Sequence, residues 1–202
     1  HQAPLRPGVV ACPVMSQSTE NPTAARYAAG AAPLAAVLDA VPADRWARPS
    51  PCEGWTARDV VRHLIETQRD FFTGRGLDLG PAPDLDADPA AAWRGHGPAV
   101  QDLLERAQAG ELAYEGYFGP TTVGRTLVDF YVPDMVVHRW DVAVAVDGDT
   151  RLTDDELDRL ESAIEAWGPA MYSDGVCQAA LTPPDGASRQ VRLLARMGRR
   201  GW

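Results

Sequence analysis

Long stretches with helical periodicity occupy most of the sequence, and they restrict the folds that this chain can adopt. The pattern predicts helices at 22–41, 56–74, 88–108, 121–146 and 153–167. The alternation typical of strands is almost absent from these stretches. We therefore expect a mostly all-α protein, built as an antiparallel four-helix bundle with a small C-terminal α(+β) extension.

The sequence predicts three regions along the chain. Residues 1–20 are expected to be a disordered N-terminal extension, and 21–150 the four-helix bundle. An Asp-Gly-Asp sequence, a strong helix stop, precedes the third region. Residues 151–202 are expected to form a short C-terminal helical extension that packs on the bundle. Within it, 176–181 resembles a short strand and 188–197 a short helix.

Composition and charge exclude several classes of protein. The chain has 28 acidic and 19 basic residues, a net charge of −9 and no basic cluster, which argues against binding to nucleic acid or to an anionic membrane surface. No apolar run reaches the ~18–20 residues needed to cross a bilayer. Three widely spaced cysteines form no disulfide framework, so we expect a cytoplasmic protein. The expected partner is a small-molecule substrate, and the chain is expected to be a monomer or a homodimer.

The second predicted helix has the clearest start signal. Thr56 can cap it, and Asp59 follows three residues later in an acidic version of the capping box. Trp55 just before the cap and Val60 just inside the helix fit a hydrophobic staple. The apolar stripe of this helix leaves His63 at the border between the buried and the exposed face.

Asp134 and His138 lie four residues apart in the fourth predicted helix, so their side chains share one face. Asp129 and Arg139 point to the opposite side of this helix. Burial of an ionised carboxylate beside an imidazole raises the free energy of the folded state unless a positive charge compensates for it. A divalent cation would provide that charge. A hydrogen-bonded Asp–His pair without a metal is the alternative interpretation. Pro133 predicts a kink immediately before Asp134.

A metal site requires a third ligand, and His63 is the most reasonable of the remaining histidines. His1 is terminal, and His96 lies between two glycines, where we expect it to be exposed. Two imidazoles and one carboxylate suit Zn²⁺ best, with Ni²⁺ or Fe²⁺ as alternatives, and leave a coordination position open. Cys52 is expected to be a small buried residue rather than a thiolate ligand.

The sequence does not assign a role to the other polar residues near these candidate ligands. Asp59 and Glu66 could orient the His63 ring or could equally face solvent. Asp141, three residues after His138, is expected to support that histidine rather than to bind the metal. No catalytic or cofactor-binding residue is assigned. The residues close enough to be considered as acid or base are Asp141, Arg139, Tyr131 and Glu66.

Two segments resemble the signatures of a known family. Residues 50–64 are similar to the P-C-x-G-W-t-x-x-D-v-x-x-H-l signature of the mycothiol-dependent maleylpyruvate isomerase family, which belongs to the DinB-like superfamily of metal-binding four-helix bundles. Residues 134–143 resemble its second signature, an acidic residue four before a histidine that is followed by W-D-x-A. The closing Gly198-Arg199 segment resembles the end of the shorter members.

The resemblance implies that His63, Asp134 and His138 bind a metal ion. The founding isomerase has Glu in place of Asp134 and a larger C-terminal domain, which leaves the substrate open. We expect a mycothiol S-transferase or isomerase, in which the metal binds a low-molecular-weight thiol as cosubstrate and the thiolate attacks an electrophilic small molecule. The alternatives are a non-catalytic bundle that sequesters a metal or small molecule, as in resistance, a metal-dependent hydrolase or cyclase using a bound water, and a purely structural bundle.

Overall fold

Helices dominate the computed structural model, which describes residues 21–202. In chain order the elements are α1 (Pro22–Asp39), α2 (Ala57–Thr73), α3 (Pro89–Arg106), β1 (Ala113–Gly116), β2 (Gly119–Thr122), α4 (Val123–Thr126), α5 (Val132–Ala145), α6 (Asp154–Trp167) and α7 (Arg189–Arg196). The predicted, mostly all-α fold is confirmed. The extension predicted at 1–20 lies outside the described residues. Within 21–202, no helix combines the length and the apolar character needed to cross a bilayer.

Four of these helices, α1, α2, α3 and α5, pack into a bundle. α1 and α2 each pack against both α3 and α5, so α1 and α2 lie diagonally opposite each other. Their buried side chains form a continuous hydrophobic core, and its largest fully buried members include Tyr27, Leu34, Leu64, Ile65, Phe72 and Leu104. The predicted helical bundle is therefore confirmed.

Local sequence explains how the helices begin and how closely they approach. The Thr56 hydroxyl accepts the N–H of Asp59, and the Asp59 carboxylate accepts the N–H of Thr56, as the predicted capping box requires. α1 continues without a break through Pro33. Gly30 lets α1 lie close to α5, because an added Cβ would be 2.5 Å from a methyl group of Val132.

The fourth predicted helix is divided into two parts. It begins at Val123 instead of 121, because the preceding threonines form the end of β2 in an antiparallel hairpin with β1. A π-helical turn, Leu127–Tyr131, then separates α4 from α5. This wider turn comes directly before Pro133, whose ring nitrogen cannot donate to an α-helical hydrogen bond. The kink predicted at Pro133 stays a prediction, and the irregularity observed before Asp134 is this π-helical turn.

The chain after residue 150 packs against α5. α6 begins with a second capping box, in which Thr153 and Glu156 exchange hydrogen bonds. Glu156 also forms a buried ion pair with Arg139 of α5, with 2.6 Å between Oε1 and Nε. A second buried cluster joins α5 to α6 and α7, and it includes Trp140, Leu160 and Leu194. The domain boundary at 150 stays a prediction.

The strand predicted at 176–181 is wrong. Within the described residues this segment has no neighbouring strand, and Val176 is exposed. The segment is instead tied to the end of α7, where the N–H of Leu181 donates to the carbonyl of Ala195 at 2.9 Å. A strand needs a neighbouring strand to form a ladder, and within 21–202 none lies beside this segment. The short helix predicted at 188–197 is confirmed as α7.

Candidate metal centre

Three side chains from two helices of the bundle converge. α2 presents His63, and α5 presents Asp134 and His138 on successive turns. Nε2 of His138 lies 3.2 Å from Oδ1 of Asp134, and Nε2 of His63 lies 3.7 Å from Oδ2 of the same carboxylate. One ligand atom from each residue lies within 4.8 Å of the others, a spacing at which all three can bind one ion. The three residues named from the sequence therefore meet, while their binding of a metal stays a prediction.

Trp55 packs against both imidazoles of this group. Its ring lies just before the capped start of α2, at a centroid distance of 4.9 Å from the His63 ring and 6.5 Å from the His138 ring. The two imidazoles meet edge to face, with 4.9 Å between their centroids. Close packing of three rings limits the rotation of each, so the ligand atoms are held in place before an ion arrives.

Asp141 orients the His138 ring from its other side. Nδ1 of His138 donates to Oδ2 of Asp141 at 2.9 Å, which turns Nε2 toward Asp134. Arg199, near the end of the chain, donates to both oxygens of Asp141, from Nε at 3.1 Å and from Nη2 at 2.8 Å. The Cys52 thiol donates to Oδ2 at 3.3 Å. Asp141 therefore supports His138, as expected, and Arg199 neutralises the buried carboxylate.

The charges of this cluster shift the pKa values of its members. Burial opposes the ionisation of Asp134, but the charge of His138 and hydrogen bonds from both imidazoles hold the Asp134 pKa well below its usual range. Burial by itself would lower the pKa of His138, but the charge of Asp134 and hydrogen bonds to its neighbours raise it well above the usual value. The pKa of Asp141 falls to about 2, against the effect of burial, because it accepts from His138 and Arg199. Without a metal ion, these carboxylates favour the protonated form of His138.

The donor set fits a divalent cation. Because Nδ1–H of His138 is committed to Asp141, the neutral ring points its Nε2 lone pair at an anionic oxygen of Asp134. Such an arrangement needs a positive charge between the two atoms, either a proton or a metal ion. A second group, formed by Cys52, His138 and Asp141, also has ligand spacing. Arg199 already neutralises the carboxylate of that group, so His63, Asp134 and His138 are the better candidates.

A cavity of about 390 Å³ opens beside the three candidate ligands. Its walls are mostly apolar or aromatic and include Tyr117, Phe118, Phe130, Tyr131, Val137, Trp167, Met171 and Met197. Arg199 and Cys177 contribute polar groups. Cys177 is a free thiol, and burial raises its pKa, which keeps it protonated near neutral pH. A mostly apolar cavity with a few polar groups at one end is typical of a site for a small molecule.

Sequence reasoning missed two parts of this site, Arg199 and the aromatic walls. Arg199 is 58 residues from Asp141, so no local pattern connects them. The only signal was the resemblance of the closing segment to the family's shorter members. Phe130 and Trp167 lie on different elements and become neighbours only through the packing of α6 beside the π-helical turn.

The residues considered for orienting His63 do not touch its ring. Asp59 is held by Thr56 in the cap of α2. Glu66 is exposed, with its carboxylate 3.9 Å from Arg62. Of the two predicted orientations, facing away from His63 is therefore the one observed.

The other residues considered as acid or base also have defined surroundings. Tyr131 lines the cavity, but burial and the nearby charge of Asp134 raise its pKa to about 12. Arg139 is committed to its ion pair with Glu156, and it is not part of the cavity wall. Neither surrounding favours proton transfer near neutral pH.

The prediction that His96 is exposed is wrong, since only 1% of its surface is accessible. α3 continues through the two flanking glycines, so His96 occupies a regular helical position. Its Nε2 lies 2.9 Å from Oε1 of Gln68, which also accepts from the Tyr27 hydroxyl at 2.7 Å. Burial, together with the charge of Arg69, lowers the His96 pKa to about 3, so this imidazole is neutral.

Comparison with known proteins identifies the first part of the bundle. Residues 27–74 match the family model described as the mycothiol maleylpyruvate isomerase N-terminal domain. The predicted family resemblance is confirmed. The matched segment covers most of α1, all of α2 and His63, whereas Asp134 and His138 lie beyond it.

Two curated relatives extend the similarity over a longer part of the chain. Both are uncharacterized proteins of Mycobacterium tuberculosis, from two strains. Each is 29% identical over 144 residues, which is 70% of this chain and 78% of the relative. No solved structure matches the chain. The comparisons therefore connect the chain with a mycothiol-related family and leave its substrate open.

Proposed function

We propose that this protein is a metal-dependent enzyme that uses a low-molecular-weight thiol, most simply a mycothiol S-transferase or isomerase acting on an electrophilic small molecule. The observation that carries the proposal is the convergence of His63, Asp134 and His138 at one end of an apolar cavity. The match of 27–74 to a mycothiol-related family supports the choice of thiol.

In this proposal His63, Asp134 and His138 hold the ion. Two nitrogen ligands and one oxygen ligand favour Zn²⁺, with Ni²⁺ and Fe²⁺ as alternatives. An ion held there would act as a Lewis acid and would lower the pKa of a bound thiol or water. Asp141 holds Nδ1–H of His138 and so presents Nε2 as a ligand, and Arg199 keeps Asp141 ionised by donating to both of its oxygens.

The walls of the cavity suit a flat, conjugated electrophile. The rings of Phe130 and Trp167 are nearly parallel, with an interplanar angle of 14° and 5.9 Å between centroids. Together with the other apolar side chains of the wall, these rings offer surface against which a conjugated molecule can pack. Apolar walls also limit the access of bulk water, which would otherwise compete with the thiol for the electrophile.

Metal analysis of purified protein is the direct test, with no histidine tag present. After zinc loading and dialysis, the wild type is expected to retain about one ion per chain. His138→Ala should lose most of this metal. Asp129→Ala is the matched control, because Asp129 is an exposed carboxylate already paired with Arg125 at 3.5 Å. Equal metal content in wild type and His138→Ala would falsify the proposal.

A turnover assay then separates the proposed reaction from its alternatives. The zinc-loaded protein is incubated with a low-molecular-weight thiol and a panel of electrophiles, and both reactants are followed. The proposal expects thiol-dependent conversion of an electrophile in the wild type and not in His138→Ala. Saturable binding without any conversion would instead indicate sequestration. Conversion that proceeds equally well without thiol would indicate a hydrolase or cyclase that uses water.

A further inference from the structure

A second cavity, of about 760 Å³, adjoins the cavity beside the candidate metal ligands. The two cavities share the side chains of Tyr117, Phe118, Phe130, Tyr131 and Trp167 in their walls. Three of these rings form a continuous series, because Phe130 stacks with Phe118 on one side and with Trp167 on the other, at 5.9 Å each. The two cavities therefore lie side by side along this aromatic wall.

Arg75 is a fixed cation in the wall of the second cavity. It follows the end of α2, and its guanidinium carbon lies 4.0 Å from the ring centroids of both Phe71 and Tyr114. Contact with two aromatic faces holds the plane of the guanidinium and restricts its rotamers. The cation is therefore preorganised rather than free to move in solvent.

The hydrogen-bonding capacity of Arg75 is largely unused. Nη1 donates to the carbonyl of Phe71 at 2.8 Å, and Nη2 has no acceptor among the described residues, whereas Nε is buried and closed to a ligand. Among residues 21–202, no carboxylate forms an ion pair with Arg75. Arg125, the other arginine in this cavity, is paired with Asp129 at 3.5 Å. An unpaired guanidinium in a chain with 28 acidic and 19 basic residues is a ready partner for an anion from outside the chain.

The geometry points to a carboxylate-binding subsite at Arg75, which holds the far end of a ligand whose reactive end lies beside His63, Asp134 and His138. A carboxylate matches the planar guanidinium with two parallel hydrogen bonds. The assignment of the reactive end rests on the proposed function, whereas the recognition of the carboxylate rests on Arg75. The ligand class is thus an elongated small molecule with an apolar or conjugated middle and a terminal carboxylate.

Tyr131 provides the physical connection between the two ends. Its ring lines both cavities and packs on Phe71, the ring beneath Arg75, with 4.9 Å between centroids. Tyr131 is also the last residue of the π-helical turn, three residues before Asp134. The turn that precedes the candidate metal ligands therefore also shapes the wall of the carboxylate subsite.

Binding of a matched pair of probes tests this inference without requiring turnover. The full chain is titrated with 4-phenylbutyrate and with its uncharged amide, and tryptophan fluorescence is followed. The wild type should bind the carboxylate about tenfold more tightly than the amide, the effect of a charge-assisted hydrogen bond. Arg75→Gln should abolish that preference, and Arg75→Lys should retain only part of it, because an ammonium lacks the planar pair of donors. Arg125→Gln is the matched control and should keep the full preference.

Two further arms separate binding at Arg75 from binding at a metal. The same titrations are made with chelator-treated protein and with His138→Ala, where an Arg75-dependent preference should persist. If the preference disappears in His138→Ala and survives in Arg75→Gln, the carboxylate binds at the metal and the inference is overturned. Equal affinity of the wild type for acid and amide, or an equal loss in Arg125→Gln, would also overturn it. If the protein proves to bind no metal, Arg75→Gln should still abolish the preference for the carboxylate over the amide.

Discussion

Two histidine clusters lie in the same helical bundle, and their surroundings give them opposite properties. In the first, His63 and His138 meet the carboxylate of Asp134 beside a cavity. In the second, His96 bonds to the amide of Gln68, which also accepts from a phenol, in the closed core. The first cluster brings charged partners to an opening, whereas the second brings neutral partners together away from solvent.

The difference shows that partner charge, more than burial alone, decides the protonation of a histidine in this fold. His96 and His138 are both buried. Burial lowers the pKa of both imidazoles, but the carboxylates beside His138 outweigh it and raise the His138 pKa, whereas burial, with the charge of Arg69, lowers the His96 pKa to about 3. Only a cluster with carboxylates offers an ion the negative charge that it needs.

The largest expected effect is a difference in zinc affinity between substitutions in the two clusters. His63→Gln should weaken zinc binding at least about 100-fold, since removal of a ligand costs more than removal of a supporting residue. His96→Gln should leave zinc affinity unchanged and lower the free energy of unfolding by about 1–3 kcal/mol, because it disturbs a buried hydrogen bond. Competition with a zinc indicator and urea unfolding of the metal-free protein measure the two effects. If His96→Gln weakened zinc binding as much as His63→Gln, the distinction between the clusters would not hold.

A smaller effect is expected in the pH dependence of stability. Because the folded-state pKa of His96 is about 3, the unfolded chain binds one more proton than the folded chain between that pH and about 6.5. His96 should therefore make stability fall by a few kcal/mol as pH drops through this window, and His96→Gln should flatten the slope. His138 has the opposite sign, since its raised pKa gives stability below about 6.5 that is lost as pH rises through the folded-state pKa.

The pH effect is measured by urea unfolding at a series of pH values, with a chelator present to keep metal out of both states. If the free energy of unfolding fell as steeply with decreasing pH in His96→Gln as in the wild type, the imidazole of His96 would not be held neutral by the core. The loss of stability with rising pH that His138 contributes serves as an internal comparison, because it should persist in His96→Gln.

The smallest effect concerns the hydrogen bonds of the closed cluster. Tyr27→Phe removes the donor that lies 2.7 Å from Gln68 and should lower the free energy of unfolding by about 1 kcal/mol. Tyr172→Phe is the control, since Tyr172 is exposed and bonds only to the carbonyl of Arg196 at 2.8 Å. Its effect should stay below about 0.5 kcal/mol. Comparable losses in thermal or urea unfolding of both variants would argue against a special stabilising role for the closed cluster.

Local sequence predicted the elements that carry the site. The capping box at Thr56 lies where the sequence places it, because a cap depends on residues only three positions apart. The common face of Asp134 and His138 follows from helical spacing in the same way. The signature around His63 then supplied the residue that meets them, which helix spacing alone could not select from the histidines of the chain.

Tertiary packing determined the burial and the partners of the side chains on these elements. Within the described residues, segment 176–181 has no neighbouring strand, and His96 is buried in the core because α3 continues through its flanking glycines. Contacts between residues far apart in the chain pair Arg199 with Asp141 and place Arg75 between two aromatic rings, with no carboxylate partner among residues 21–202. Periodicity and caps are short-range and can be predicted from neighbouring residues. The sequence determined the helices and the chemistry of the candidate ligands, whereas packing alone determined which charges were neutralised and which remained available to a ligand.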